Sequence, residues 1–217
     1  MYFKGYCAGM SSTSENSRTR GPKFIFVGEH PAIDFVNTLS NPHGQPEDLL
    51  RSWSDVVYWL SEAGLPQDPS LSLSVARGAE ALKSVLKLRH AWKALLAQFI
   101  AGGKVSDEFL ESLNSHLAED NFHDTLQLDS KKGFQLVRSA SQLHGEKFAL
   151  AVLARQIAGF LADADLKYLH RCANTAPCTL YFYDTTKNHR RRWCSVAVCG
   201  NRHKVAAFRE RQVKAKN

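Results

Sequence analysis

Four of the five cysteines, Cys172, Cys178, Cys194 and Cys199, fall within 28 residues of one another. They form two close pairs, Cys172-x5-Cys178 and Cys194-x4-Cys199, with 15 residues between the pairs. Two tight pairs joined by a longer insert are the layout of a tetrahedral four-thiolate zinc site. In a reducing compartment such clustering points to a metal and not to disulfides. Four unrelated thiols are the alternative, and they leave the clustering without a cause. His170, His189 and His203 lie nearby. Because four sulfurs already complete the shell, these histidines are expected to face solvent or phosphate. A closed shell has no open position for hydrolysis, so Zn2+ is expected in a structural role and the chain is not expected to be an enzyme.

The same segment carries the charge. Residues 1–166 hold 16 Lys+Arg against 19 Asp+Glu, a balance of −3, whereas residues 167–217 hold 12 against 2, a balance of +10. A polyanion, duplex DNA above all, is the partner this concentration implies, with a solvated basic tail as the bland alternative. Arg190, Arg191 and Arg192 precede the second cysteine pair and could clamp phosphates. Arg202, Lys204, Arg209 and Arg211 fall on a final helix expected from about Arg202 to Gln212, with Asn201 as cap and Gly200 at positive φ. On it Val205 and Phe208 share one side and are expected to pack on the metal core. Arg191 and Arg202 suit a bracing role, or pairing with Asp184, equally well. Trp193, beside a ligand cysteine, reads as finger core and not as a platform for bases.

A second polar set lies near the other end. His30, Asp34, Asn37 and Thr38 sit among Ile33, Phe35, Val36 and Leu39, and His30, Asp34 and Thr38 recur at one-turn steps of a helix. If buried, they need partners. A small-molecule effector pocket would supply them, and so would an internal hydrogen-bond network, the favoured reading. Acid–base catalysis by His30 and Asp34 is the weakest option, because no nucleophile or second carboxylate lies near.

The elements that must position these groups are mostly helical. In His30–Leu39, Pro31 suits the first turn of a helix. Apolar residues at three- and four-residue steps predict helices over 47–64, 73–101, 107–118 (capped by Ser106, with Leu110, Leu113 and Leu117 inward) and 145–162. Thr125–Leu128 and Phe134–Val137 flank Ser130-Lys131-Lys132-Gly133 and read as a hairpin, and Asn41–Gly44 as a turn. Apolar residues at 44% and charged residues at 23% exclude wholesale disorder. No run approaches the roughly 18–20 apolar residues of a membrane span, and residues 1–10 lack the core of a secretory signal, so a cytoplasmic location is expected. The fold class expected is mainly α (α+β). A flexible arm (1–23, containing Cys7) precedes a helical domain with one hairpin (24–165). A small treble-clef-like or ribbon-like zinc finger ending in a basic helix (166–217) follows.

Arg171-Cys172, Cys178, Phe182-Tyr183-Asp184-Thr185, Arg191-Arg192-Trp193-Cys194 and Cys199-Gly200-Asn201-Arg202 together resemble the CGNR zinc finger family. The first cysteine spacing is one residue longer than that family's pattern. Phe24–Ala162 resembles the ABATE domain that precedes this finger, through Gly28, His30-Pro31-Ala32-Ile33-Asp34-Phe35, Asn37-Thr38-Leu39 and Glu47-Asp48-Leu49-Leu50. The resemblance implies a bacterial-type, stress-linked transcription regulator whose first part senses a ligand or forms a homodimer. An RNA- or protein-interaction module is the runner-up.

Overall fold

The computed structural model describes residues 22–40, 45–118, 123–129, 133–139, 144–174 and 178–214. The arm over 1–23 (its last two residues apart), the turn at 41–44 and the hairpin turn at 130–132 lie outside the described residues.

Helix α1 (Pro31–Asn37) opens with Pro31 at its first position, and His30 caps it by accepting the Ala32 N–H on Nδ1 at 3.1 Å. Strand β1 (Leu39–Ser40) pairs antiparallel with β2 (Glu47–Asp48). The helix expected from Glu47 therefore starts later, as α2 (Trp53–Glu62), where Ser52 and Asp55 form a capping box. Asp48 is committed elsewhere: its carboxylate accepts from the Leu50 N–H and from Arg89. Helix α3 (Val75–Ile100) is the long central helix. In α4 (Asp107–Ala118) the Ser106 Oγ accepts the Phe109 N–H at 3.3 Å, as expected of the cap. Phe109 and Leu113 are buried there, whereas Leu110 turns out exposed. The hairpin is longer than expected, with β3 (His123–Asp129) and β4 (Gly133–Ser139) in register Leu126↔Leu136. Helix α5 (Glu146–Asp163) follows the expected span closely.

The helices enclose one apolar core. Trp59, Trp92, Phe35, Phe148 and Phe160 are essentially inaccessible within it. Trp92 donates its Nε1–H to the Ala32 carbonyl at 2.8 Å, fixing α3 against α1.

The C-terminal segment pairs β5 (Leu169–Arg171) with β6 (Tyr181–Tyr183), antiparallel, His170 opposite Phe182. A loop, a π-turn (Val196–Gly200) and α6 (Asn201–Lys214) follow. The molecule is mainly helical, with two-stranded sheets and a cysteine-bearing, helix-terminated end, as expected.

Two extended stretches lie between the halves, each presenting alternate residues to opposite sides. In one, Phe24 and Phe26 pack on the helical core while Ile25 and Val27 pack on the cysteines. In the other, Tyr181 and Tyr183 join the helical core while Leu180 and Phe182 join the cysteine cluster. This is the period-2 alternation of extended chain, used on both faces at once.

Three expectations about the last helix are corrected. Gly200 does not take positive φ, because the π-turn runs directly into helical backbone at Asn201. Asn201 does not cap α6. It is its first residue, donating Nδ2–H to the Ala197 carbonyl at 2.9 Å, and Ser195 caps the preceding turn instead. Val205 and Phe208 do not pack on the cysteines: they are 48% and 55% exposed. Ile25, Val27, Leu180, Phe182 and Trp193 pack around the cluster in their place.

Candidate metal centre and nucleic-acid interface

The four cysteines converge from four elements. Cys172 follows β5, Cys178 precedes β6, Cys194 lies in the loop and Cys199 in the π-turn. All four side chains are buried and their sulfurs lie within 4.8 Å of one another. The Cys178–Cys194 and Cys194–Cys199 sulfur separations are 3.7 and 3.6 Å. A tetrahedron of sulfurs about 2.3 Å from zinc has edges of ~3.8 Å, so these two edges match that ion. Among themselves the sulfurs divide the protons unevenly. Thiol hydrogen bonds from Cys178 and Cys194 hold Cys172 far below the ordinary thiol range, and the same bonds to Cys172 push Cys178 and Cys194 above it. Four sulfurs this close cannot all carry negative charge unless a cation sits among them.

Main-chain bonds hold the knuckles. Cys172 N–H donates to the Leu180 carbonyl at 2.9 Å, Ala173 N–H to Arg192 at 2.8 Å and Cys199 N–H to Ser195 at 2.9 Å. The Cys194 N–H approaches the Cys172 sulfur at 3.5 Å. Asp184, with no accessible surface, organises the loop: Oδ1 accepts from the Thr186 N–H and hydroxyl, Oδ2 from the Arg191 N–H. Burial alone would raise its pKa, but these donors outweigh burial and leave it below the usual carboxylate range.

Of the seven basic residues singled out, Arg191 stands apart. Its Nε–H donates to the Trp193 carbonyl at 3.0 Å, and its terminal nitrogens donate to Glu29 at 2.7 Å, to the Val27 carbonyl at 3.1 Å and to the Cys194 carbonyl. The guanidinium also lies 4.5 Å over the Phe182 ring. Glu29 reaches it from a left-handed conformation, φ +65°, uncommon outside glycine. This is the bracing alternative; the partner of Asp184 is the Arg191 main chain and not its side chain. Arg190, Arg192, Arg202, Lys204, Arg209 and Arg211 are all exposed and have no carboxylate partner among the described residues. The histidines are not ligands: His189 stacks on Tyr168 at 3.6 Å, and His170 and His203 lie against Phe182 and Trp193.

The polar set of α1 is spent on the molecule's own backbone. Asn37, 1% exposed, donates to the Tyr181 carbonyl and accepts the Tyr181 N–H, both at 2.9 Å, thereby acting as a strand neighbour for β6. Asp34 accepts the Val27 and Gly28 N–H groups at 3.0 and 2.7 Å. A Cβ on Gly28 would stand 2.8 Å from that carboxylate oxygen, which is why glycine occupies the position. Burial pushes the Asp34 carboxyl up to about 7 and the His30 imidazole down to about 4, the latter against the pull of Asp163. Thr38 donates to the Phe35 carbonyl and accepts from Arg89. These bonds describe the internal-network alternative.

Sequence reasoning missed Arg89 and Asp48. Arg89 is fully buried and pairs with the Asp48 carboxylate through both terminal nitrogens. Burial alone would raise Asp48, yet Arg89 holds it below its ordinary range. The signal was there to read: Arg89 sits four residues after Val85 and three before Trp92, inside the apolar stripe of α3.

A mainly helical domain joined to a four-cysteine, helix-ended module defines the class, a chain with a C-terminal zinc finger, and residues 168–212 match the CGNR zinc finger family. Residues 29–164 match the ABATE family, described as "Putative stress-induced transcription regulator", and the chain belongs to that family. No curated protein matches the chain. Among the described residues no helix is long and apolar enough to cross a membrane.

Proposed function

We propose that this protein is a transcription regulator that grips duplex DNA through its C-terminal module, held in shape by one Zn2+ on Cys172, Cys178, Cys194 and Cys199. The observation that carries this reading is α6. No residue of it is buried, it begins two residues after a cluster cysteine, and it carries five basic groups against one glutamate. At 100° per residue Arg202 and Arg209 form one row and Lys204 and Arg211 another, with Val205 and Phe208 between them. An exposed helix with two cationic rows flanking an apolar ridge suits a groove walled by phosphates. Arg190 and Arg192 would add backbone contacts from the loop, and Arg191 positions that loop without touching the ligand. His30, Asp34, Asn37 and Thr38 do not enter as an effector site, since their polar atoms hold β6, the 27–28 backbone and Arg89.

Mobility shifts with duplex DNA and with RNA test the reading. If all six exposed residues reach phosphates, log K against log salt falls with a slope of about −5. Arg202→Ala/Arg209→Ala should weaken duplex binding while zinc content stays at one per chain. A flat salt response, or equal binding of RNA, removes the duplex reading.

A further inference from the structure

A cleft of about 530 Å3 opens beside the cysteine cluster, between residues 26–29 and the loop 186–196. That is the size of cavities that hold small organic ligands, roughly 300–1,000 Å3. Its apolar lining includes Val27, Trp193 and Val196, with Arg190 and Arg192 beside them; Phe26 contributes to the edge but turns its ring to Trp59 in the helical core. Glu29 also lines it, but its charge is taken by Arg191 at 2.7 Å. The free charge facing the cleft is thus that of two guanidiniums. Two further donors lie on the lining. The Ser195 Oγ accepts the Val198 N–H and still has its own O–H to donate. The Trp193 Nε1–H, on another lining residue, is buried without an acceptor. Cationic, O–H and N–H donors beside the Val27, Val196 and Trp193 side chains suit a ligand with an anionic head and an aromatic body.

We infer that this cleft binds a nucleoside 5′-phosphate unit, with its phosphate between Arg190 and Arg192 and its base against Val27, Trp193 and Val196. The inference rests on the nucleic-acid reading only in that the unit may come from a strand as well as from a free nucleotide. In the first case the protein holds one unstacked nucleotide in addition to the groove contact of α6; in the second the cleft is an effector site next to the DNA-binding helix, and a bound nucleotide takes Arg190 and Arg192 from the duplex backbone while α6 keeps its contacts.

The test uses the full zinc-loaded chain, titrated calorimetrically with AMP, inorganic phosphate, a short single strand and a short duplex. Saturable one-to-one AMP binding is expected, about tenfold tighter than phosphate, a difference of ~1.4 kcal/mol. Arg190→Ala/Arg192→Ala should weaken AMP at least about tenfold. Val196→Glu, at a site 61% exposed, should do the same by charge repulsion. Unchanged zinc content and melting temperature show that both variants fold. Competition between the single strand and AMP assigns the unit to a strand, and simultaneous binding of AMP and duplex assigns it to a free nucleotide. No AMP saturation, phosphate binding as tightly as AMP, or indifferent variants overturn the inference. Arg202→Ala/Arg209→Ala should lose duplex and keep AMP. Duplex binding without AMP binding sinks the cleft alone, and the reverse sinks the α6 reading alone.

Discussion

The helical half and the cysteine half solve the same problem by different means. From α1 to α5 the chain buries three tryptophans and a dense set of leucines and phenylalanines, enough apolar surface to hold itself together. Among the described residues the C-terminal segment gathers a cluster of four cysteines with Leu180 and Phe182 as its further buried members. A core that small needs an ion as its centre, whereas the larger one needs none. The difference teaches where each half is vulnerable: the first to cavities, the second to chelation.

Removing the metal should expose that difference most strongly. A structural zinc contributes about 10–16 kcal/mol in small domains. Chelation at neutral pH, or Cys194→Ser, should strip amide-exchange protection from residues 184–214 and leave α3 and α5 protected. Loss of protection in α3 as well would break the comparison. On the other side, Trp92→Ala should cost about 3–5 kcal/mol, read as a lowered urea midpoint, with zinc stoichiometry intact below the transition.

A third effect lies in the pH response. Between about pH 4 and 7 folded Asp34 keeps a proton that the unfolded chain has released, so stability falls as pH rises through that window. His30 works in the opposite sense. From 6.5 down to about 4 the unfolded imidazole is protonated while the folded one stays neutral, so its contribution is lost as pH falls. The two slopes largely cancel. His30→Asn keeps a good helix cap and deletes one slope, so the unfolding free energy from urea titrations should then decline as pH rises from about 4 to 7, by up to ~4 kcal/mol. A flat profile in that variant would show that Asp34 titrates near its ordinary value.

The smallest effect is expected at the seam. Asn37→Ala leaves the Tyr181 N–H and carbonyl buried without partners and should cost about 2–3 kcal/mol. It should also loosen the zinc site, measured as faster zinc transfer to a chelating dye. Unchanged transfer would mean the halves are energetically separate.

What could be read from the sequence follows from how each feature is encoded. The cysteine pairs, the charge break near residue 166, Ser106 as cap and the α3 stripe are local patterns, and each lies where its spacing places it. The late start of α2 was hidden because Asp48 is drawn to Arg89, 41 residues away. The exposure of Val205 and Phe208 was hidden for a similar reason: Ile25 and Val27, far upstream, already occupy the surface those two would have covered. Extended stretches buried on both faces read as plain apolar runs, so Phe24–Val27 and Leu180–Tyr183 gave no hint that they divide two cores. Arg191 carried the same signal as Arg190 and Arg192, and only the position of Val27 and Glu29 separates it from them.

Those paired dividing stretches bear on how this finger can be handled. Cut at residue 165, it would carry Tyr181 and Tyr183 with nothing behind them and would lack Ile25 and Val27 in front of its sulfurs. Grafting it onto another protein therefore means carrying residues 24–29 along as a complementing peptide. Tandem duplication, the usual route by which small fingers multiply in one chain, is closed to a unit whose missing wall is supplied from more than a hundred residues upstream.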